Sequence, residues 1–537
     1  MSCCLPLSGR IPCSWKRVFG SLFLGFVVFF ANATFAAERT IDIKVAQYDT
    51  FLELTCREGG AWAVGDKKGR LQPQEMVQLS GVLEKRAVKR YHVMVASARA
   101  GETQKLAELE AEWKAMGWPA KTMIIGRELL ADDGKTILSD NRMGNVEAGV
   151  FGDQQSAQAL VDKLAAQGKS SWIFTEVVSR TQGRLTLKSN GQVLAEGKEL
   201  LLLPDQTVLL KKVEFAVGYP WHGFADRLYR GSFICRWGAQ DALDCVLKTS
   251  LETILAGVVP SEISAKAEIG ALQAQAVAAR GEILGKIGQR HAGEGFDSCS
   301  EQHCQVFAGE TPEALNVAKK IAPTCGVLMV DGSGNIAEAV YAANCGGRGE
   351  ACQFVWTSPP NPILCGVWDS TGNPPSLDLS EEEQVGVFIN NPPDCYCKDP
   401  AAEGSNSFRW KKSLVGGDWK NIENAIGVGR VQKISDIARG YSGRIYRMTF
   451  TGERGSRTVM KELNIRRLFG GLKSACFVAS WTRDTAGFII GAEVSGAGFG
   501  HGVGMCQTGA QSRARRGWSF DRILGYYFPG SSLKKWY

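Results

Sequence analysis

The run GVVPSEISAKAEIGALQAQAVAARGEIL, residues 257–284, reads as the junction of two helices. Before it, Leu251, Ile254, Leu255 and Val258 fall on one helical face. Pro260, with no N–H to donate, predicts the end of that helix. After it, Ile269, Leu272, Ala276, Ala279, Ile283 and Ile287 recur at helical spacing, and Ser261 or Ser264 is placed to cap the start. Glu262 is thereby predicted at the junction, in the first turn of the second helix. Gln273 and Arg280 share another face of that helix and can point at whatever Glu262 addresses. On physics alone, a Glu in a first helical turn is more often a cap favoured by the macrodipole than a catalyst.

A chain of 537 residues is long enough for several domains of about 100 to 200 residues each. With 44% hydrophobic and 22% charged residues and no Gly-X-Y period, disorder, collagen and coiled coil fit poorly. The excess of seven positive charges includes Arg10, Lys16 and Arg17, which precede the apolar run Val18 to Phe30 and the small residues Ala31, Ala33, Ala36 and Ala37. That order predicts a secretory signal peptide over 1–36, hence a protein exported across the inner membrane to the periplasm or cell wall, touching membrane only through this segment if it is not cleaved. The charge left over is too small to argue for nucleic acid. Of the 16 cysteines, 13 follow the leader, a number that cannot all pair within one molecule. Cys235 with Cys245, and the crowd of Cys345, Cys352, Cys365, Cys395 and Cys397, look like disulfide ground.

Further upstream a pattern repeats. A strand at Tyr91 to Ala98, a helix with Leu106, Leu109, Trp113 and Met116, and a strand at Lys121 to Gly126 are followed by Val146 to Gly152, a helix with Ala157, Leu160, Val161 and Leu164, and Trp172 to Val178. The order βαββαβ predicts a sheet with both helices on one side. This pattern, with the run VEAGVFGDQQSAQALVDKLAAQG, resembles a SPOR domain and implies binding of glycan strands stripped of stem peptides; a ferredoxin-like spacer is the alternative. From Gly183 to Ile234, short apolar runs and turn pairs such as Asn190-Gly191 predict hairpins. The interval of about 371–414 is Pro-rich and reads as inserted loop.

Four runs occur in order: the one quoted first, then CSEQHCQVFAGET, YAANCGGRGE and GFGHGVGMCQTGAQSRARRGWSFDRILGYYFPG. Together they resemble the SpoIID/LytB family from about Tyr229 to the C-terminus. The fold class implied is α+β, with an N-terminal β-rich segment (37–90), the SPOR-like βαββαβ module (91–180), a β-rich connector (181–228) and a mixed α/β SpoIID-type catalytic domain (229–537). The resemblance implies a secreted peptidoglycan lytic transglycosylase acting on denuded glycan in cell-wall remodelling or septal processing, with Glu262 as its catalytic residue. The alternative it implies is a non-catalytic enhancer of a peptidoglycan amidase.

The chemistry suits one carboxyl. A hydrolase that inverts or retains needs two carboxylates about the bond, and the only close neighbour in sequence is Glu268. A lytic transglycosylase needs a single acid, protonated at the start, as apolar neighbours such as Val258, Val259 and Ile263 would favour. Cys299 and Cys304, with His291 and His303 near them, offer the thiolate and imidazole that suit a structural zinc, the family resemblance putting the two cysteines first; a Cys299–Cys304 disulfide is the competing reading. In Gly500 to Gln507 the glycines let backbone approach a sugar ring, with His501 and Gln507 as donors; a tight turn with His501 bonded internally is the alternative. Tyr341, Gly346 and Gly347 are further cleft candidates. The chemistry itself needs no cofactor.

Overall fold

In the computed structural model the described residues are 39–131, 134–218, 221–356 and 358–537; the expected leader lies outside them. About 25% helix and 40% strand, largely segregated along the chain, make the protein mixed α+β. The first strand, Thr40–Tyr48, buries Ile41, Ile43 and Val45 at period two. It lies in a seven-stranded sheet of order Ser298–Cys299, Thr40–Tyr48, Leu243–Ser250, Ser232–Trp237, Glu199–Pro204, Gly60–Val64, Lys67–Leu71. A six-stranded sheet runs Gln192–Gly197, Gln182–Ser189, Met76–Lys85, Phe51–Cys56, Thr207–Phe215, Gly223–Arg230.

Both sheets mix strands from before residue 86 with strands from after residue 181. The stretches expected as a separate N-terminal segment and connector therefore form one β body. Thr40 pairs with Ser250 and Tyr48 with Leu243, so this body also includes the strand that leads into the Glu262 helix. Local periodicity shows that a strand exists but carries no trace of a partner 200 residues away. Where the pairing is local, the reading holds: Asn190 and Gly191 have φ of 50° and 80°, both positive as a two-residue type I′ hairpin turn requires.

Residues 88–179 form a four-stranded antiparallel sheet ordered Trp172–Ser179, Val88–Arg99, Met143–Phe151, Lys121–Ile125. Its helices are α1 (Thr103–Ala115) and α2 (Gln154–Ala166). Trp113 of α1 and Ala157 and Leu164 of α2 pack with Val93, Val95, Val146 and Ala148 in one cluster. Asp153 caps α2, accepting from the Ser156 N–H at 2.8 Å. The βαββαβ order is thus present, with a small hairpin (Glu128–Leu130, Ile137–Asp140) added between its second and third strands. Lys85 and Gln182 pair directly in the six-stranded sheet, so the unit leaves and re-enters at neighbouring points. It is docked rather than free: Asn141 Nδ2 donates to the Ile287 carbonyl at 2.8 Å, and Arg127 and Arg99 pair with Asp297 and Asp331 at 2.7 Å.

Helix α3 spans Leu251–Glu262 and α4 spans Ile269–Gly285. Pro260 does not end α3. It forfeits its own bond to Ala256, but the Ile263 N–H reaches the Val259 carbonyl at 3.0 Å and Ser261 Oγ donates to the Gly257 carbonyl at 2.8 Å, so the last turn closes. Glu262 is therefore the last residue of α3 and not in the first turn of α4. Neither serine caps α4, whose N-cap is Glu268. Nor does α4 have a single apolar face: residues 271–284, Gln273 apart, are buried all round, beneath α3 and the helices Gln507–Arg515 and Phe520–Tyr527. Its small residues permit that approach; a Cβ on Gly270 would lie 2.5 Å from the Trp518 carbonyl oxygen.

The Pro-rich interval is ordered. It contains the helix Glu382–Asn390, whose Val385, Phe388 and Ile389 pack with Leu379, Cys476 and Ala497. Beyond it, Arg409–Val415, Ile489–Ala497 and Phe477–Arg483 form one three-stranded sheet and Val431–Arg439, Ile445–Gly452 and Gly455–Met460 another, around Met448, Phe450, Phe469 and Phe477. No helix among the described residues is long and apolar enough to cross a membrane. All 13 cysteines of these residues are free thiols, so the bridges expected at Cys235–Cys245 and in the 345–397 crowd are not formed. Cys235 and Cys245 are cross-strand partners with sulfurs 3.5 Å apart.

Candidate active site

Glu262 stands where three distant segments meet the end of α3. The Val306 N–H donates to its Oε1 at 3.1 Å. Gln507 Nε2 donates to its backbone carbonyl at 2.9 Å, satisfying one of the carbonyls a helix end leaves open. Tyr341 lies near enough for the Glu262 charge to act on its hydroxyl. Burial holds the Glu262 carboxyl above its ordinary range, with the Val306 N–H pulling the other way. A helix C-terminus carries partial negative charge and favours the neutral acid too. No second carboxylate contributes to this shift. Glu268 is engaged elsewhere, paired with Arg515 at 3.2 Å.

The strand Tyr341–Ala342 runs parallel to Met505–Cys506, which brings the Gly500–Gln507 loop alongside Tyr341. Burial, then the Glu262 charge, push the Tyr341 hydroxyl well up, so it stays a proton donor. His501 Nδ1 accepts from the Val503 N–H at 3.1 Å, which puts the ring proton on Nε2. Its pKa is driven down to about 3 by burial and by Arg444 and Arg466, so the imidazole is neutral. The ring is also hydrogen-bonded to the Tyr341 backbone, which is the internal bonding expected of a tight turn. Gln507 Nε2 also reaches Gln275 Oε1 at 3.2 Å, so its contact with Glu262 is one of positioning.

Several expected cleft residues lie elsewhere. Arg280 is fully buried in a two-bond ion pair with Glu252 (2.9 and 2.7 Å) and donates to the Val327 carbonyl. Gln273 donates to the Lys320 carbonyl at 3.1 Å. These contacts replace the shared address with Glu262 predicted from their spacing. Gly346 and Gly347 are buried, with φ of 78° and 110°; side chains there would press on Ala497 and Cys395, so they serve packing. Gln275, two residues along from Gln273, is the α4 glutamine on the Glu262 side; the spacing of apolar residues gives no means of choosing between them. Trp356, its ring 5.1 Å from that of His501 and 39% exposed, was also not singled out. A solvent-exposed Trp within a Pro-rich stretch was the available signal. A groove of about 600 Å³ lies away from Glu262, between α2 and Arg457–Asn464.

His291, Cys299, His303 and Cys304 converge, their ligand atoms all within 4.8 Å of one another. His291 Nε2 is 3.3 Å from Cys304 Sγ, and His303 Nδ1 is 3.6 Å and 3.9 Å from Cys304 and Cys299 Sγ. A tetrahedral ion with bonds of about 2.0–2.3 Å sets neighbouring donors about 3.4–3.8 Å apart, so the four residues fit one. His291 Nδ1 faces Glu294 Oε1 at 3.1 Å, the carboxylate that a metal-bound imidazole ordinarily has behind it. Val306, which contacts Glu262, follows two residues after Cys304.

A mixed α+β body presenting one carboxyl at a helix end, with a neutral His and a Tyr beside it, defines the class of site. Residues 239–330 match the family described as Stage II sporulation protein (SpoIID), and residues 350–504 match a Domain of unknown function (DUF8618). The chain is 28% identical over 308 residues to the Amidase enhancer of Bacillus subtilis (strain 168), covering 52% of this chain and 40% of that one. It is 25% identical over 304 residues to Stage II sporulation protein D of the same organism (53% and 74%), and 26% identical over 299 residues to an uncharacterized protein of Brachyspira hyodysenteriae (55% and 69%). The match thus spans less than half the length of the amidase enhancer. The chain carries a SpoIID-family match over residues 239–330 and is similar to proteins of the SpoIID/LytB kind over about half its length.

Proposed function

We propose that the protein is a secreted lytic transglycosylase cutting stem-peptide-free glycan strands between N-acetylmuramic acid and N-acetylglucosamine. The observation that carries this reading is the buried Glu262 carboxyl at the end of α3, held above its ordinary range and, among the described residues, hydrogen-bonded through its side chain to the Val306 N–H. One acid suffices if the substrate supplies its own nucleophile. Glu262 gives its proton to the glycosidic oxygen as the bond to the anomeric carbon breaks. The resulting carboxylate takes the proton of the muramic residue's primary hydroxyl as that oxygen closes on the same carbon. The acid is restored, no water is consumed, and an anhydro end results. The neutral Tyr341 hydroxyl is a donor for a sugar oxygen, and the exposed Trp356 offers a flat apolar face.

Zinc held by His291, Cys299, His303 and Cys304 would supply structure, fixing the loop that ends at Val306. The βαββαβ unit, read as a SPOR module, would hold the same denuded strand. A second reading rests on the relative named Amidase enhancer: the cleft grips glycan for a separate amidase. Incubation with denuded strands and mass analysis of the ends tests both. Anhydro ends support the transglycosylase, reducing ends mean hydrolysis, and bound but intact strands with a stimulated amidase favour the enhancer.

A further inference from the structure

A second cluster of ligand groups lies outside that machinery. Cys345 follows Tyr341 by four residues, Cys506 immediately precedes Gln507, and Cys397 and Asp369 come from the 350–504 segment. Their three sulfurs and one carboxylate oxygen lie within 4.8 Å of one another, and all four residues are buried. Cys345 and Cys397 sulfurs are 3.6 Å apart, close to the edge of about 3.8 Å that two thiolates span around a tetrahedral zinc.

The surroundings are those of charged ligands. Cys506 Sγ accepts the N–H groups of Cys345 at 3.2 Å and Gly509 at 3.4 Å, the second at the start of the helix Gln507–Arg515. Asp369 Oδ2 accepts the Cys397 N–H at 2.8 Å, and its Oδ1 accepts from Tyr527 OH at 2.7 Å and from Arg513. Arg409 lies within electrostatic reach of Cys476, Cys397, Cys395 and Cys345; its guanidinium bonds the backbone carbonyls of Gly346, Phe388, Ile389 and Phe408 and stacks over the Phe388 and Phe408 rings. Three thiolates and a carboxylate bring four negative charges; a divalent ion with Arg513 and Arg409 brings four positive ones. As neutral thiols the cluster leaves Arg409 without a countercharge.

We propose that Cys345, Cys397, Cys506 and Asp369 bind a structural zinc ion, distinct from the His291/Cys299/His303/Cys304 group. It would pin the 350–504 segment to the strand pair carrying Tyr341 and Cys506. This assignment stands whether the chain cuts glycan or only binds it.

The test is metal analysis of the full chain, purified under reducing conditions without chelator. About two zinc ions per chain are expected, and about one in each of the double variants Cys299→Ser/Cys304→Ser and Cys397→Ser/Cys506→Ser. A wild-type protein that holds no zinc overturns the proposal and needs no variant to fold. So does a Cys299→Ser/Cys304→Ser protein that folds and holds no metal. A peptide map of the untreated protein joining Cys345 to Cys397 or Cys506 by a disulfide also overturns it, because those sulfurs would no longer be thiolate ligands. Loss of a second zinc on Asp369→Asn, with the fold retained, would support the carboxylate as fourth ligand.

Discussion

Replacing Glu262 by Gln should abolish cleavage and leave the site standing. The amide keeps an oxygen for the Val306 N–H now at 3.1 Å, and the Gln507 bond is to the backbone carbonyl of residue 262, which the substitution does not touch. What disappears is the transferable proton. Loss of a general acid costs about 10²- to 10⁴-fold in rate, or about 3 to 5 kcal/mol at 1.36 kcal/mol per decade. Stability supplies an independent readout. A carboxyl whose folded pKa is raised contributes stability that is fully present below the unfolded value and is lost as pH rises through the folded value. The wild type should therefore lose melting temperature relative to Glu262→Gln as pH rises above the ordinary carboxylate range, and its cleavage rate should fall over the same rise. The assays are release of anhydro ends from denuded strands, glycan binding by calorimetry, and melting curves across pH. Cleavage by the Gln variant within about tenfold of wild type would remove Glu262 from its role; melting curves that stay parallel across pH would refute the argument from burial.

Four further outcomes follow from the same contacts. Gly257→Ala puts a Cβ 2.6 Å from the Phe307 ring and 2.9 Å from the Gly309 carbonyl; it should cost about 1–3 kcal/mol in denaturant unfolding and lower cleavage further by displacing Val306. Chelation, or Cys299→Ser with Cys304→Ser, should lower the melting temperature and reduce cleavage in step with it; normal stability with lost cleavage would put the metal in the chemistry. Excising residues 88–179 and closing Lys85 to Gln182 with a short turn should weaken binding of long denuded strands by up to about 10²-fold while sparing cleavage of short ones; unchanged affinity would make the unit a spacer. Trp356→Ala should weaken glycan binding about five- to tenfold, one aromatic face's worth of burial, without moving the pH profile; unchanged binding places the ring outside the cleft.

The sequence was most legible where structure is local. The βαββαβ unit came out of apolar spacing almost strand by strand, because each of its helices packs within 70 residues of its sheet. The α3–α4 junction was found for the same reason but misread at Pro260, since a proline near a helix end forfeits one bond while Ser261 supplies another from its side chain. Opaque in kind was everything set by long closure. Thr40–Tyr48 against Leu243–Ser250 is one example, and the body from 409 to 497, whose two sheets interrupt the family's own motifs, is another. Arg280 shows the limit on site residues. Helical spacing put it on a face distinct from the apolar one, and such a face reads as a cleft until the partner that buries it, Glu252, is seen.

The same distinction bears on why four separated motifs recur in order. Each supplies one end of a contact at Glu262. The first carries the acid itself, the second ends beyond Cys304 at the Val306 N–H, the third opens on Tyr341, and the fourth holds His501 and Gln507. None of these contacts is local, so no one run implies another by spacing alone. Burial is the first cause of the acid's raised pKa, and the bonds from Val306 and Gln507 tie two of these motifs to the residue. It follows that the two thiol-rich clusters have complementary tasks. With zinc bound as proposed, the His291 group would order the loop reaching Glu262 Oε1, whereas the Cys506 group sits one residue from the amide that holds its carbonyl. Loosening either would let water in beside a carboxyl whose proton is kept by the exclusion of water, and would lower its pKa toward the ordinary carboxylate range before the fold itself gave way.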